Sequence, residues 1–189
     1  MFEFSTLDST WWNDPRPLEI DLGCARGHFL LAAAALYPDR RFLGIEWQIE
    51  RARQTRRKIL NQSLQNVRVV RAEIRHALAL HLPPNCACRI HVLFPDPWPK
   101  RRHAPRRLIN PGIFTLFARV LIPDGTIRFL TDDEPYYLHS LKILNAEPSW
   151  RILPEDPVGD WPPTEFQTRF LQLGKPIYGW IARQVPAVH

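Results

Sequence analysis

From about residue 17 to residue 147, apolar runs alternate with segments of helical periodicity. A chain of this kind lays its strands parallel, because each intervening helix carries it back across the sheet before the next strand begins. Pro17–Leu22, Arg41–Glu46, Val67–Arg71, Arg89–Phe94 and Gly125–Thr131 read as strands. Helical patterns occupy Gly27–Tyr37, stopped by Pro38, then Gln48–Asn61, and Ile74–Leu82, stopped by Pro83 and Pro84. Further helices read at Ile113–Leu121 and Pro135–Asn145, the second with proline at its first position, where the missing N–H costs nothing. A proline-rich stretch, Pro154–Pro163, precedes a final strand at Ile177–Arg183. The 19 prolines fall almost entirely between these elements, so they punctuate the pattern without breaking it. The expectation is an α/β fold, with residues 1–189 forming a single domain.

Composition narrows the setting. Met1–Trp12 has neither a basic start nor an apolar core, so it does not read as a secretory signal. The longest apolar run, Phe29–Tyr37, is far short of a bilayer span, and no membrane association is expected. Cys24, Cys86 and Cys88 form no disulfide framework, and Cys86 and Cys88 have no second ligand pair at metal-binding spacing. A reducing, cytoplasmic protein without a metal is expected, as a monomer or homodimer. The net charge of +6 and pI near 9.6 point to a polyanionic partner. Two clusters carry much of that charge: Arg51, Arg53, Arg56, Arg57 and Lys58, and Lys100, Arg101, Arg102, His103, Arg106 and Arg107.

The first strand runs into Asp21-Leu22-Gly23-Cys24-Ala25-Arg26-Gly27 and then a helix. Such a turn lets backbone N–H groups approach a ligand closely. A dinucleotide site uses Gly-x-Gly-x-x-Gly to seat a pyrophosphate; here the spacing is Gly-x-Ala-x-Gly behind an acidic residue. A carboxylate at that place repels a pyrophosphate and suits the ammonium group of an amino-acid-bearing cofactor. The pattern resembles the first motif of Rossmann-like methyltransferases, although a plain tight turn remains an alternative. Glu46 closes the second strand, where an acidic residue holds the hydroxyls of an adenosine ribose. Glu73 follows the third strand, beside the place of the adenine ring, and equally suits a helix N-terminus. With Asp96 after the fourth strand, these carboxylates all stand at strand C-terminal ends, where open α/β sheets bind ligands.

The fourth strand ends in Phe94-Pro95-Asp96-Pro97-Trp98-Pro99-Lys100-Arg101-Arg102-His103. Its prolines stiffen the loop and hold an aspartate between two of them. A rigid carboxylate, an aromatic surface and phosphate contacts thus share one segment. The alternative is a proline-rich surface loop with solvated charges.

This segment resembles that of the bacterial tRNA (guanine-N7-)-methyltransferase family, which carries Phe-Pro-Asp-Pro-Trp-x-Lys before a basic run. The resemblance continues through Arg106-Arg107-Leu108, Thr131-Asp132-x-Glu134-Pro135-Tyr136, and Thr164-Glu165-Phe166 with Arg169 and Gly174. It implies a Rossmann-like class I methyltransferase fold, a mostly parallel seven-stranded sheet with an antiparallel last strand, using S-adenosyl-L-methionine and acting on tRNA. By position it implies cofactor contacts at Asp21, Gly23, Gly27, Glu46, Glu73 and Asp96, with Asp96 also catalytic. It implies RNA or guanine contacts at Lys100, Arg101, Arg102, Asp132, Thr164, Glu165, Phe166 and Gln167. The chain departs from the family's usual residues in Ala25 for Gly, Asp21 for Glu, Glu73 for Asp and Gln167 for Glu.

The chemistry agrees with that resemblance. Guanine N7 carries an in-plane lone pair and attacks a sulfonium methyl group without prior deprotonation, so catalysis rests mainly on in-line positioning. A carboxylate accepting from the guanine N1–H and amino group orients the base and favours the cationic product. Two rival readings are a nicotinamide-dependent Rossmann enzyme, opposed by the missing Gly-x-Gly-x-x-Gly, and an RNA-binding module of the same fold without methyl transfer.

Overall fold

The computed structural model describes Phe4 and residues 7–185, the side chain of Arg101 apart. β1 (Leu18–Leu22) and β2 (Arg41–Glu46) are buried at every position, as strands covered on both faces must be. They join β3 (Val67–Arg71), β4 (Ala87–Leu93), β5 (Leu121–Thr131), β6 (Trp150–Leu153) and β7 (Tyr178–Gln184) in a single sheet of order β3-β2-β1-β4-β5-β7-β6. β1 to β5 pair parallel, whereas β7 is antiparallel to both β5 and β6. The seven-stranded, mostly parallel sheet with an antiparallel last strand is as expected. The strand order reverses between β1 and β4, and a crevice opens at the C-terminal ends of strands at such a switch point.

Helices cover the sheet: α1 (Ser9–Trp12), α2 (His28–Leu36), α3 (Ile49–Asn61), α4 (Ile74–His76), α5 (Ile113–Val120), α6 (Glu134–Asn145) and α7 (Glu165–Gln172). Leu18, Ile20 and Leu22 of β1 enter one core layer with Phe114, Phe117, Phe129 and Trp180. The opposite layer holds Phe29, Leu30, Phe42, Val69, Leu93 and Leu130. Because side chains alternate along a strand, Glu19 and Asp21 lie on this second face, and both are buried.

Several elements depart from the sequence reading. The expected helix at 74–82 is a single α-turn that passes into a π-helical turn, Ala77–His81. The basic run forms a 3-10 helix, Arg101–Arg106. β4 and β5 each start earlier than expected, with a register shift between Ala87 and Arg89. β6 lies at the sheet edge and pairs only with β7, and two of its four residues are exposed. α7 buries only Gln167, so it offers no apolar stripe to find.

Candidate active site

The turn after β1 is held by backbone and by one carboxylate. Gly23 N and Cys24 N both donate to Ile45 O, at 2.8 and 3.2 Å. Ala25 N donates to Glu46 Oε2 at 2.9 Å, and the Thr55 hydroxyl of α3 reaches Ala25 O at 3.2 Å. Gly23, Ala25 and Gly27 all sit at positive φ, 80°, 49° and 73°. At Gly27 a Cβ would lie 2.5 Å from Thr55 Cγ2, so α3 and the turn approach as closely as glycine permits. Ala25 has no such freedom, and its left-handed backbone carries a local cost.

A cavity of about 360 Å³ opens over this turn. Asp21, Gly23, Glu46, Glu73, Asp96 and Thr164–Phe166 all line it. The four strand-end carboxylates read from the sequence therefore meet in one place. Asp21 is buried, and burial raises its carboxyl to about 7; nearby Arg128 opposes that rise and Glu46 adds to it. No hydrogen bond contributes. A buried anion held this way is suited to an incoming ammonium group. Glu46 spends one acceptor site of each oxygen on backbone, Oε2 on Ala25 N and Oε1 on Gln48 N at 2.7 Å, and each oxygen keeps a second. Glu73 caps α4 through His76 N at 2.8 Å, as its helix N-terminal reading expects, and also lines the cavity. Gly27 shapes the turn from behind without lining the cavity.

Asp96 is exposed on the loop after β4. That loop turns through two left-handed residues, Phe94 at φ 51° and Trp98 at φ 45°. Arg107, which the sequence grouped with the basic cluster from Lys100, is 8% exposed and belongs to this loop's foundation. Its Nε donates to Pro97 O at 2.7 Å, and its guanidinium lies 5.0 Å from the Tyr136 ring. Tyr136 in turn accepts from Ile109 N at 3.1 Å. Arg106 stacks 5.1 Å over Trp98, and both line the cavity.

The substrate-side residues divide. Thr164 caps α7 by accepting from Gln167 N at 2.9 Å. Glu165 lies 3.4 Å from His28, which joins the start of α7 to the start of α2 across the cavity. Phe166 is 44% exposed and stacks on Phe170 at 6.2 Å. Gln167 is buried, its Oε1 without a hydrogen-bond partner among the described residues, and it does not line the cavity. Asp132 stands outside the lining, 3.5 Å from Lys175 Nζ. Lys100 and Arg102 are exposed beyond the rim. The Arg101 side chain is outside the described residues.

Sequence reasoning missed Trp47 and Arg75, which also line the cavity, and placed Arg51, another lining residue, only in a basic cluster. Trp47 directly follows Glu46, and that adjacency was the available signal. Trp161 was missed too; it packs against Phe29 at 6.0 Å and His91 at 4.9 Å from within the proline-rich segment. Among the described residues no three His, Cys, Asp or Glu side chains gather as a metal site, and no helix is long and apolar enough to cross a membrane.

The profile of a family described as "Putative methyltransferase" matches residues 15–180. A tRNA (guanine-N(7)-)-methyltransferase of Rhodospirillum rubrum is 35% identical over 174 residues, covering 87% of this chain and 68% of the relative. The protein of the same name from Alkalilimnicola ehrlichii is 36% identical over 168 residues, covering 87% of this chain and 70% of its own. The chain belongs to the tRNA (guanine-N(7)-)-methyltransferase family. In fold it is similar to a SAM dependent methyltransferase from Aquifex aeolicus, with TM-score 0.63, 16% identity, and coverage of 98% of this chain and all 100% of the other. The aminoglycoside resistance methyltransferase NpmB1 gives TM-score 0.63 at 17% identity, covering 98% of this chain and 95% of its own. Of the departures that the resemblance implies, Ala25 is the one at positive φ.

Proposed function

We propose that this family member transfers a methyl group from S-adenosylmethionine to N7 of a guanine in tRNA. One observation carries the reading: the loop holding Asp96 opens onto the same cavity as Asp21, Glu46 and Glu73. Methyl donor and acceptor base thus share one site. The cavity residues fit such a donor, because Asp21 is a buried carboxylate without a hydrogen bond among the described residues, beside a turn shaped by two positive-φ glycines. When bound, S-adenosylmethionine supplies an electrophilic methyl group on a sulfonium.

The chain's own residues then bind and orient. Asp21 pairs with the ammonium group, the second acceptor sites of Glu46 hold the ribose hydroxyls, and Glu73 lies toward the adenine. Asp96 accepts from the guanine N1–H and amino group, which fixes N7 in line and stabilises the positive charge the ring acquires. Thr164, Glu165 and Phe166 bound the base from the other side. Lys100 and Arg102, exposed beyond the rim, contact phosphates together with Arg101, and Asp132 and Gln167 act by supporting that wall. The protein works in the cytoplasm, as a monomer or homodimer of one domain.

The test is to incubate the protein with labelled S-adenosylmethionine and bulk tRNA and to map the modified nucleoside. Label in 7-methylguanosine is expected, and Asp96→Ala should nearly abolish it while the protein stays folded. Label in another nucleoside, or near-normal turnover in Asp96→Ala, would overturn the assignment.

A further inference from the structure

Three residues on neighbouring strands form a row beneath the cavity. The sheet register pairs Asp21 of β1 with His91 of β4, and His91 with Arg128 of β5. All three are buried, and Arg128 is entirely withdrawn from water. A guanidinium in that position needs compensation from hydrogen bonds and ring faces around it. Arg128 donates from Nε to Pro157 O at 2.6 Å and from Nη2 to Val158 O at 3.3 Å. Its plane lies 5.5 Å from the rings of both Phe29 and Trp161. Nη1 makes no hydrogen bond among the described residues, and neither does His91 Nδ1, whose partner nitrogen Nε2 is 2.7 Å from Glu19.

Arg128 therefore has two attachments. Its charge is what opposes the burial of Asp21 at the cavity floor. Its hydrogen bonds fasten the chain at Pro157 and Val158, which leads through Trp161 to Thr164–Phe166 on the cavity's other wall. We propose that Arg128 is a positioning residue that couples the Asp21 end of the cavity to the 157–166 segment, so that seating the cofactor and seating the acceptor base strengthen each other. The inference rests on the reading of Asp21 as partner to the cofactor's ammonium group. When that group pairs with Asp21, the carboxylate's pull on Arg128 is screened and the guanidinium is held more firmly by the two carbonyls. Coupling of this kind is reciprocal by thermodynamic necessity.

The groups that face Asp21 are Glu46 from β2, His91 from β4, Arg128 from β5 and Cys24 from the turn, with Glu19 and Arg89 one row back. His91 is held neutral by burial, its imidazole pushed down to about 4, so Arg128 is the cation whose charge acts on Asp21. Removing it should move the rise of cofactor affinity with pH upward by about one pH unit.

The experiment measures tRNA affinity with and without saturating S-adenosylhomocysteine, and S-adenosylhomocysteine affinity against pH, for the wild type, Arg128→Met and Arg128→Lys. In the wild type S-adenosylhomocysteine should tighten tRNA binding at least about fivefold. In Arg128→Met that factor should fall to about one and the pH midpoint should rise. Arg128→Lys keeps a cation but not the planar fork that spans two carbonyls, so it should keep the midpoint and lose the coupling. If Arg128→Met fails to fold, Arg128→Lys alone decides. Binding by the wild type with coupling undiminished in the folded variants would overturn the proposal alone; no S-adenosylhomocysteine binding by the wild type would overturn the reading of Asp21 beneath it.

Discussion

Arg107 Nε stands 2.7 Å from the carbonyl oxygen of Pro97, one residue beyond Asp96. The buried guanidinium thereby fixes the loop that presents the carboxylate, and Tyr136 supports it from below. Arg107→Met should destabilise the fold by about 1.5–3 kcal/mol, the range for a hydrogen bond from a charged group. Turnover should fall roughly 10- to 100-fold through misplacement of Asp96, while S-adenosylhomocysteine affinity holds. Thermal melts, single-turnover rates and calorimetry on one preparation check all three; unchanged turnover in a folded variant would refute the positioning role.

Ala25 sits at φ 49° in the cofactor turn. An L-residue there costs roughly 1–2 kcal/mol that glycine avoids, part of which glycine returns through its greater freedom when unfolded. Ala25→Gly should therefore raise stability by about 1 kcal/mol. The hydrogen bond from residue 25 N to Glu46 is backbone-donated and survives the change. Denaturant unfolding checks the sign: a variant less stable than the wild type would show that Ala25 packs better than its backbone angle suggests.

What the sequence displays and what it hides divide along a physical line. Asp21, Glu46 and Asp96 were readable because a strand, a glycine or proline and an acid follow one another within a few residues, Glu73 because it follows a strand, and β-strand ends dictate where those acids gather. The expectation failed where role depends on a partner distant in the chain. Arg107 looked like one more surface cation, because nothing near it in sequence announces Pro97 or the Tyr136 ring. Arg128 and His91 stand inside strands whose apolar neighbours hide them, and Trp161 completes their enclosure from a proline-rich segment. α7 eluded periodicity because its capping Thr164 and exposed Phe166 serve the cavity more than the core.

The raised carboxyl of Asp21 makes opposite demands on stability and on binding. Its ordinary value of 3.8 becomes about 7 in the fold. A group raised in the folded state contributes stability that is full below the unfolded value and is lost as pH climbs through the folded one. The stability advantage of wild type over Asp21→Asn should thus be largest near pH 4 and shrink up to about pH 7. Cofactor affinity should run the other way and rise through about pH 7, because only the ionised carboxylate attracts an ammonium group. His91, lowered from 6.5 to about 4, loses stability as pH falls across that window in both proteins, so it cancels in the comparison. Melting curves of the pair at several pH values test the first trend and calorimetry the second. A stability difference independent of pH would show that Asp21 does not titrate where its burial implies.

The basic run tests where RNA lies on the protein. Lys100 and Arg102 are exposed beyond the cavity rim, whereas Arg107 is committed to Pro97 and Arg106 to the face of Trp98. Among the described side chains of the run, Lys100 and Arg102 can therefore follow a phosphate backbone without disturbing the loop of Asp96, Arg102 giving up an exposed hydrogen bond to His103 Nε2 at 3.3 Å. Contacts of that kind position a nucleic acid without reading sequence, and each releases condensed counterions. Replacing Lys100 and Arg102 together by alanine should weaken tRNA binding and flatten its salt dependence by about one to two units of slope. Melting temperature and S-adenosylhomocysteine affinity should stay where they are, since neither side chain lines the cavity. Changing Arg107 should have the reverse signature, a lower melting temperature and slower turnover with the salt slope intact. Affinity measured at several salt concentrations separates the two: coincident lines for the wild type and the double variant would place the RNA on another surface, with the basic face of α3, where Arg51 reaches the cavity, the next to examine.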